Sequence, residues 1–228
     1  MFKSKKTIIR VGALSAAALV VFGAPAAFAA SSYNVTAGSA PATSLPEVPP
    51  VAYTATTTGP LPQVTFTNTT SGFVLNCESA SAAGTVTVGT NLSGTRIGTV
   101  DGPGTIWATC TGPGGLSLTH TGVGSWNLDA TGDTVGGVTP VSITGVNLHV
   151  SGDCSFDYTG SIDGTYTNGT TDGTLDLPGT SSGLTISNTS FGCIFIGTQN
   201  GDVASLQATY QVAADTGAYN PIQITSNP

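Results

Sequence analysis

The sequence predicts an all-β protein: one antiparallel domain, either a β-sandwich or a barrel-like domain, built of two related halves. Three observations support this prediction. The 228 residues include 31 Gly, and Thr is even more frequent, a composition that favours strands and tight turns over helices. From Val64 onward, apolar residues recur at almost every second position, the period of a half-buried strand. We find no stretch of useful length with the 3.6-residue period of a helix.

The first 29 residues have the three parts of a secretory signal. A cationic stretch from Lys3 to Arg10 precedes an apolar run from Val11 to Gly23, and small residues at Ala27 and Ala29 suit cleavage. The apolar run is shorter than the roughly 20 residues that a membrane-spanning helix requires. We therefore expect residues 1–29 to be removed on export.

The charge of the exported chain argues against two classes of partner. The formal net charge is −7. Four of the five basic side chains lie in the predicted signal, so Arg96 alone remains against 12 acidic residues. Nucleic-acid binding depends on Lys and Arg side chains that displace counterions from phosphates, and charge-driven recruitment to anionic lipid needs the same residues. We expect no nucleic-acid partner, and a membrane is not favoured.

The four cysteines, Cys77, Cys110, Cys154 and Cys193, are predicted to form two disulfides outside the cell. Four cysteines allow three pairings. We favour Cys77 with Cys110 and Cys154 with Cys193, because each half of the domain then has its own crosslink. No metal site is predicted, since no pair of cysteines has the two- to four-residue spacing of a zinc site.

The chain divides into an N-terminal part and an all-β domain. Residues 30–62 are predicted to contain an N-terminal strand and a proline-rich segment with Pro41, Pro46, Pro49, Pro50, Pro60 and Pro62. Because proline lacks a backbone donor, we expect an edge strand with loops, or an extended arm, and not a central strand. Residues 63–228 form the predicted domain, with halves at about 63–135 and 136–228.

Two long strands have the clearest patterns. Phe156–Thr167 places Phe, Tyr, Ile and Gly at even positions and Asp, Ser and Thr at odd ones, while Ala204–Val212 alternates in the same way. Asn200-Gly201 suits a tight hairpin turn that would join the second strand to another at Cys193–Ile196. The alternation slips by one residue at Gly145, which predicts a β-bulge.

The two histidines are the only side chains whose unperturbed pKa lies near neutrality. His120 shares a strand face with Leu118 and is expected in the core, whereas His149 is expected to face water. The aromatic residues Trp107, Trp126, Tyr158 and Tyr166 would suit a sugar-stacking platform, but they share faces with aliphatic residues. Core packing is therefore the prediction for them.

Acidic residues crowd one part of the second half, at Asp153, Asp157, Asp163, Asp172 and Asp176. Carboxylates are ligands for Ca²⁺ and the catalytic groups of glycosidases. None of the five follows a calcium-loop spacing, and no pattern pairs two of them. We interpret them as solvated acids that keep the protein soluble, with no catalytic residue and no cofactor.

The segment Gly179-Thr180-Ser181-Ser182-Gly183 has the letters of a hydrolase nucleophile elbow. That motif requires a strand, a sharp turn and a helix, with acid and His partners later in the chain. No helix is predicted after it, and both histidines precede it. In a chain this rich in Gly, Ser and Thr, we interpret the match as chance.

The arrangement from Tyr33-Asn34-Val35-Thr36-Ala37-Gly38 to the C-terminus resembles a group of small secreted, Thr/Gly-rich all-β proteins of high-GC Gram-positive bacteria. The four cysteines, the strand Gly124-Ser125-Trp126-Asn127-Leu128 and the segment Ile143-Thr144-Gly145-Val146 carry the resemblance. It implies export and an all-β fold, and it supplies no activity and no site.

Three functions remain after these considerations. The favoured one is a secreted, non-enzymatic extracellular or cell-envelope protein that binds an unknown extracellular ligand or cell-surface component, or coats a surface. The second is a barrel pore in an outer lipid layer, since strands of 11 or 12 residues with one polar face are long enough to cross a bilayer. The third is a carboxylate-dependent enzyme acting on a polysaccharide.

Overall fold

The protein is a β-barrel with a small sheet at one end. The computed structural model describes residues 32–38, 49–180 and 182–227, so the predicted signal peptide lies outside the described residues. The described 3₁₀ helices are Pro113–Gly115, Phe191–Ile196 and Gly217–Tyr219. The described strands are β1 (Ser32–Ala37), β2 (Val51–Thr57), β3 (Val64–Asn68), β4 (Val74–Val86), β5 (Gly89–Leu92), β6 (Gly98–Asp101), β7 (Ile106–Thr111), β8 (Leu118–Gly122), β9 (Ser125–Ala130), β10 (Val138–Gly152), β11 (Phe156–Thr167), β12 (Gly173–Pro178), β13 (Ser182–Ser187), β14 (Val203–Ala214) and β15 (Ile222–Asn227).

Antiparallel pairing closes the main sheet into an eight-stranded barrel. The ring runs β10, β11, β12, β14, β2, β4, β6, β9 and back to β10. The all-β prediction is therefore confirmed, and of the two architectures left open the barrel is the one formed. Closure removes the free edges that an open sheet would expose to other chains.

The barrel has two tiers. Of the eight strand positions around its ring, four are each filled by one long strand, namely β4, β10, β11 and β14. Each other position holds two short strands end to end. The short strands of the lower tier are β2, β6, β9 and β12, and those of the upper tier are β3, β7, β8 and β13. We call the barrel end beside the β10–β11 turn the upper end and the opposite one the lower end.

The proline-rich segment contains a central strand, so the expectation of an edge strand or arm is wrong. β2 pairs with β14 on one side and with β4 on the other. No proline lies inside Val51–Thr57, so every residue of the strand keeps its backbone donor. Val51, Tyr53 and Ala55 point into the core while the residues between them are exposed.

The long strands follow the predicted alternation. β11 spans Phe156–Thr167 as predicted, and the register of β10 shifts between Thr144 and Val146, which confirms the bulge. Gly160 in β11 has a φ of +139°, and a Cβ there would lie 2.1 Å from the carbonyl oxygen of Gly183. This position of β11 therefore requires glycine, because a side chain would collide with β13.

A three-stranded sheet, with β1 between β15 and β5, covers the lower end of the barrel. Its inner side chains include Val35, Ile222 and Ile224, all almost fully buried. The Tyr166 hydroxyl donates to the Ile222 carbonyl oxygen at 2.8 Å, and Asn168 exchanges two 2.8 Å hydrogen bonds with the backbone of Ile224. Burial and hydrogen bonding therefore join this cap to the barrel.

Two successive stretches of chain supply equal shares of the barrel, and the first begins with β2, ahead of the predicted domain start at residue 63. Residues 51–130 fill four adjacent strand positions of the ring, and residues 138–214 fill the other four. Each share holds one disulfide, and the pairing is the predicted one, Cys77–Cys110 and Cys154–Cys193. Both disulfides lie at the upper end, the first between β4 and β7 and the second between the β10–β11 turn and the 3₁₀ helix Phe191–Ile196.

Candidate functional site

The barrel interior is packed with side chains. Its central apolar cavity is only about 50 Å³, with walls that include Tyr53, Trp126, Ile162 and Leu206. Sites for small molecules are typically about 300 to 1,000 Å³. The cavity is therefore too small for a substrate of ordinary size, which leaves the side chains of the upper end and of the outer surface as candidates for a functional site.

His120 lies in the core of the upper tier, as predicted. Its ring stacks on Phe66 with centroids 4.7 Å apart, and Phe66 stacks on Tyr158 at 5.5 Å on its other side. Neither imidazole nitrogen has a hydrogen-bond partner. Burial without a partner penalises the charged ring and lowers the pKa of His120 to about 4. The imidazole is neutral at physiological pH.

Cys77, Cys110 and His120 form the one group of three potential metal-ligating side chains that we find among the described residues. Their ligand atoms all lie within 4.8 Å of one another. The two sulfurs are bonded to each other in the disulfide, so they do not supply the thiolates that a metal site requires. In the oxidised protein, this cluster is part of the packed core.

His149 faces water, also as predicted, and is 48% exposed. Its Nδ1 lies 2.6 Å from Asp157 Oδ1, and the Asn188 side chain donates to Asp157 Oδ2 at 2.6 Å. Partial burial would raise the pKa of Asp157, but the hydrogen bonds from Asn188 and His149 outweigh it and hold that pKa below its usual value. The trio joins strands β10 and β11 to the residue after β13 on an open surface.

Three of the remaining carboxylates of the acidic group, those of Asp163, Asp172 and Asp176, bind separate neighbours. Asp163 accepts a hydrogen bond from Ser142 at 2.7 Å, and Asp176 accepts one from Thr209 at 2.7 Å. Asp172 accepts from the side chains of Gln211 and Asn220. Each carboxylate thus ties two adjacent segments together, which differs from the paired arrangement that glycoside hydrolysis uses.

The segment from Gly179 to Gly183 connects two strands. It leaves β12, whose last residue is Pro178, and enters β13, and the chain then continues as a strand up to Ser187. A nucleophile elbow instead leads into a helix whose N-terminus supports the oxyanion. The structural context therefore agrees with the interpretation of this match as chance.

The four candidate aromatic residues of the sequence are not an exposed platform. Trp126, Tyr158 and Tyr166 are buried, which confirms their predicted core position. Trp107 is half-buried, with its Nε1 buried and lacking a hydrogen-bond partner. The indole of Trp126, in contrast, donates to the Val123 carbonyl oxygen at 3.1 Å.

The two most exposed aromatic side chains among the described residues, Phe191 and Phe195, lie in the segment of residues 188–202 between β13 and β14, which we call the Cys193 loop. The sequence predicts a strand at Cys193–Ile196, and this prediction is wrong. Residues Phe191–Ile196 form a 3₁₀ helix that ends at Gly197 in the left-handed conformation. The disulfide to Cys154 pulls the middle of the segment onto the β10–β11 turn, away from the strand position beside β14.

The base of the Cys193 loop is held by many contacts. Ser190 and Ser155 exchange two hydrogen bonds, of 2.8 and 2.9 Å, beside the disulfide. Asp202 accepts from the Asn68 side chain at 2.8 Å and from the Gln199 backbone at 2.9 Å. A Cβ on Gly192 would lie 2.1 Å from the Asp153 carbonyl oxygen, so the helix packs directly on the neighbouring turn. These contacts fix the position of the loop.

The outer side of the same loop carries three large apolar side chains that point into solvent. Phe191 is 77% exposed, Ile194 is 62% exposed and Phe195 is 82% exposed. The two phenyl rings meet edge to face with centroids 6.2 Å apart. We call these three residues the apolar tip. Three large apolar side chains grouped in water form an exposed apolar patch, a feature that marks candidate interaction sites.

The surroundings of the apolar tip are polar and acidic. A shallow concavity of about 470 Å³ beside Ile194 is lined by Thr189, Thr198, Gln199 and Asn200. Three acidic residues lie close to the tip: Asp202 belongs to the loop, and Asp153 and Asp157 contact it. Arg96, the one Lys or Arg among the described residues, lies between β5 and β6 at the lower end. The surface around the tip therefore has negative and neutral groups.

Comparison with known proteins adds no family to these observations. No protein-family model, no curated protein and no solved structure matches the chain. Within the described part of the chain, no helix has the length and apolar character needed to cross a membrane. The two disulfides indicate a location outside the reducing cytoplasm.

The sequence analysis missed the apolar tip, although one signal was present. Residues Phe191–Ile196 contain no polar side chain, whereas a strand in the wall of a barrel alternates apolar and polar residues. The missing alternation indicates that these residues are not part of the wall. What the pattern does not reveal is which of the apolar side chains the disulfide turns outward.

Proposed function

We propose that this protein is a secreted, non-enzymatic protein of the extracellular space or the cell envelope that binds a surface through its Cys193 loop. The observation that carries the proposal is the exposure of Phe191, Ile194 and Phe195 on a loop that a disulfide holds in place. A loop whose base is already held binds at a lower entropic cost than a free one, because less backbone freedom remains to be lost.

The positions of the titratable groups support a role without catalysis. His120 lies in the core, and the carboxylates of Asp157, Asp163, Asp172 and Asp176 are each engaged in structural hydrogen bonds. General acid–base catalysis needs such a group directed at a bound substrate. The barrel interior offers a cavity of only about 50 Å³ for one.

The predicted signal at residues 1–29 and the two disulfides together support export. Disulfides persist where glutathione and thioredoxin do not reduce them, that is, outside the cytoplasm. The distribution of polarity favours a water-surrounded barrel over a pore. Along β11, for example, Phe156, Tyr158 and Ile162 face the interior while the outward positions carry Asp and Thr, and a lipid-facing wall would be apolar outside.

The experiment is to express the full chain in a high-GC Gram-positive host and to measure how it distributes between the cell surface and the culture fluid. We expect the wild type to be retained at the cell surface and the double variant Phe191→Ser/Phe195→Ser to be released. Val135→Ser is the matched control, because Val135 is also apolar and 74% exposed but lies outside the Cys193 loop. This control should behave like the wild type.

Two results would contradict the proposal. An identical distribution of the wild type and the double variant would show that the Cys193 loop is not the binding surface. Single-channel conductance in planar bilayers containing the purified protein would instead support the pore function. Folding of each variant is checked by circular dichroism before the distributions are compared.

A further inference from the structure

We infer that the partner of the Cys193 loop is a lipid surface without net charge, into which the apolar tip inserts. The inference rests on the proposed function and names the class of partner. The sequence does not favour a membrane partner, because its acidic charge offers nothing to anionic lipid. The structure adds the apolar side chains of Phe191, Ile194 and Phe195, which require no charge to bind lipid.

The size of the apolar tip distinguishes lipid from protein as a partner. A stable protein interface takes about 20 to 30 residues and roughly 800 Å² from each partner. The tip has three large apolar side chains, and the residues next to it, such as Thr189, Gln199 and Asn200, are polar. A peripheral protein needs only a small apolar surface that enters the boundary between headgroups and acyl chains, about 5 to 10 Å deep.

The shape of the loop also fits insertion. Cys193 points inward to its disulfide, while Phe191, Ile194 and Phe195 lie on the outer side of the same short helix. The phenyl rings pack against each other, so they enter a bilayer as one unit. Because the loop base is held by the disulfide and by the Asp202 hydrogen bonds, insertion does not require the loop to reorganise.

The electrostatics select lipid without net charge. The carboxylates of Asp153, Asp157 and Asp202 lie in or beside the loop, and Arg96 is at the other end of the barrel. An anionic membrane would therefore repel this end of the protein. The concavity beside Ile194 offers hydroxyl and amide groups, which hydrogen-bond to a neutral or zwitterionic headgroup.

Vesicle co-sedimentation tests the inference, with phosphatidylcholine vesicles as the probe and the protein as it is secreted after expression of the full chain. We expect the wild type to sediment with these vesicles. The double variant Phe191→Ser/Phe195→Ser should bind about tenfold more weakly or worse, because the burial of one large apolar side chain is already worth more than a factor of ten. Val135→Ser should bind like the wild type.

A second set of vesicles tests the charge selection. Mixing phosphatidylglycerol into the vesicles should weaken binding at low salt, and added NaCl should restore it by screening the repulsion. Stronger binding to the anionic vesicles than to phosphatidylcholine would overturn the inference. So would equal sedimentation of the wild type and the double variant.

The failure of this inference is distinguishable from the failure of the proposed function. If the wild type does not sediment with lipid but still requires Phe191 and Phe195 for retention at the cell surface, the partner is not lipid and the proposed function stands. If size-exclusion chromatography shows a dimer that only the double variant loses, the apolar tip binds a second copy and the lipid inference is wrong. If the wild type neither sediments with lipid nor is retained at the cell surface, both proposals are wrong.

Discussion

The two ends of the barrel are closed in different ways. At the lower end, the cap of β1, β5 and β15 buries apolar side chains, and side chains of the barrel hydrogen-bond to its backbone. Tyr166 and Asn168 satisfy the backbone groups of Ile222 and Ile224 at 2.8 Å. The hydroxyl of Tyr33 donates to the Gly132 carbonyl oxygen at 3.1 Å. Among the described residues, noncovalent contacts alone hold this end together, since both disulfides lie at the other end.

At the upper end, loops cover the barrel and disulfides hold the loops. Cys154–Cys193 fixes the Cys193 loop on the β10–β11 turn, with a separation of 39 residues along the chain. Beneath these loops, the nitrogens of His120 and Trp107 have no hydrogen-bond partners. On the outer side of the Cys193 loop, the apolar tip is exposed to solvent. An unsatisfied buried polar group typically costs about 1 to 3 kcal/mol.

The two ends therefore differ in the kind of interaction that stabilises them. The lower end is joined by burial and hydrogen bonds, whereas the upper end carries both disulfides, leaves side-chain nitrogens of His120 and Trp107 without partners and exposes the apolar tip. Regions that bind partners are commonly less stable than the scaffold around them. The contrast is therefore consistent with a structural lower end and a functional upper end, and three predictions test it.

The largest effect is expected at the lower end. Ile224→Asp places a charge in the buried contact between cap and barrel, and we expect loss of folding or of secretion, because an unpaired buried charge is very costly. Gln223→Asp is the matched control on the neighbouring, less buried position and should be mild. Secreted yield and circular dichroism measure both. Equal tolerance of the two would mean that the cap does not close the barrel.

The next effect concerns the disulfide of the Cys193 loop. Replacing Cys154 and Cys193 together with Ala should lower the free energy of unfolding by about 3 to 4 kcal/mol, the loop-entropy value for a crosslink of this span. Denaturant unfolding measures the loss. Hydrogen exchange should rise in residues 188–202 while the cap stays protected. If the cap loses protection to the same degree, the two ends are not independent.

The smallest of the three effects is an acid sensitivity from His120. Its pKa of about 4 lies below the unperturbed value of 6.5, so the unfolded chain takes up the proton first as the pH falls. The stability that depends on neutral His120 is fully present above pH 6.5 and is lost as the pH falls to about 4, a change of about 3 kcal/mol. Unfolding midpoints measured across this window check the slope.

Two variants assign the acid sensitivity to one histidine. His120→Phe removes the buried titration and should flatten the dependence between pH 6.5 and 4. His149→Gln, on the exposed histidine, should keep it. If the His120 variant retains the slope of the wild type, the acid sensitivity originates in other groups of the protein.

Much of the barrel wall was predictable because strand periodicity is a local property. The inward residues of β11 and β14, the bulge at Gly145 and the opposite positions of His120 and His149 all follow from alternation along single segments. The disulfide pairing was predictable for a related reason. Each pair belongs to one half of the chain, so each crosslink joins segments that fold beside each other.

The errors arose where distant contacts override local preference. The prolines around β2 indicated an edge strand or an arm, but β4 and β14 hold Val51–Thr57 between them, and no proline interrupts those seven residues. The apolar letters of Cys193–Ile196 indicated a strand, but the crosslink to Cys154 places this segment outside the wall as a 3₁₀ helix. In both cases, the deciding neighbours are far away in the sequence.

The sequence by itself determined the all-β class, the inward and outward faces of the strands and the crosslinks, because each depends on residue type and spacing along the chain. Tertiary structure alone decided that the sheet closes, since closure needs β10 and β11 to meet β9 and β12 around a ring. It also decided the candidate site. Phe191, Ile194 and Phe195 are exposed on the outer side of a short helix whose Cys193 is directed inward by its disulfide.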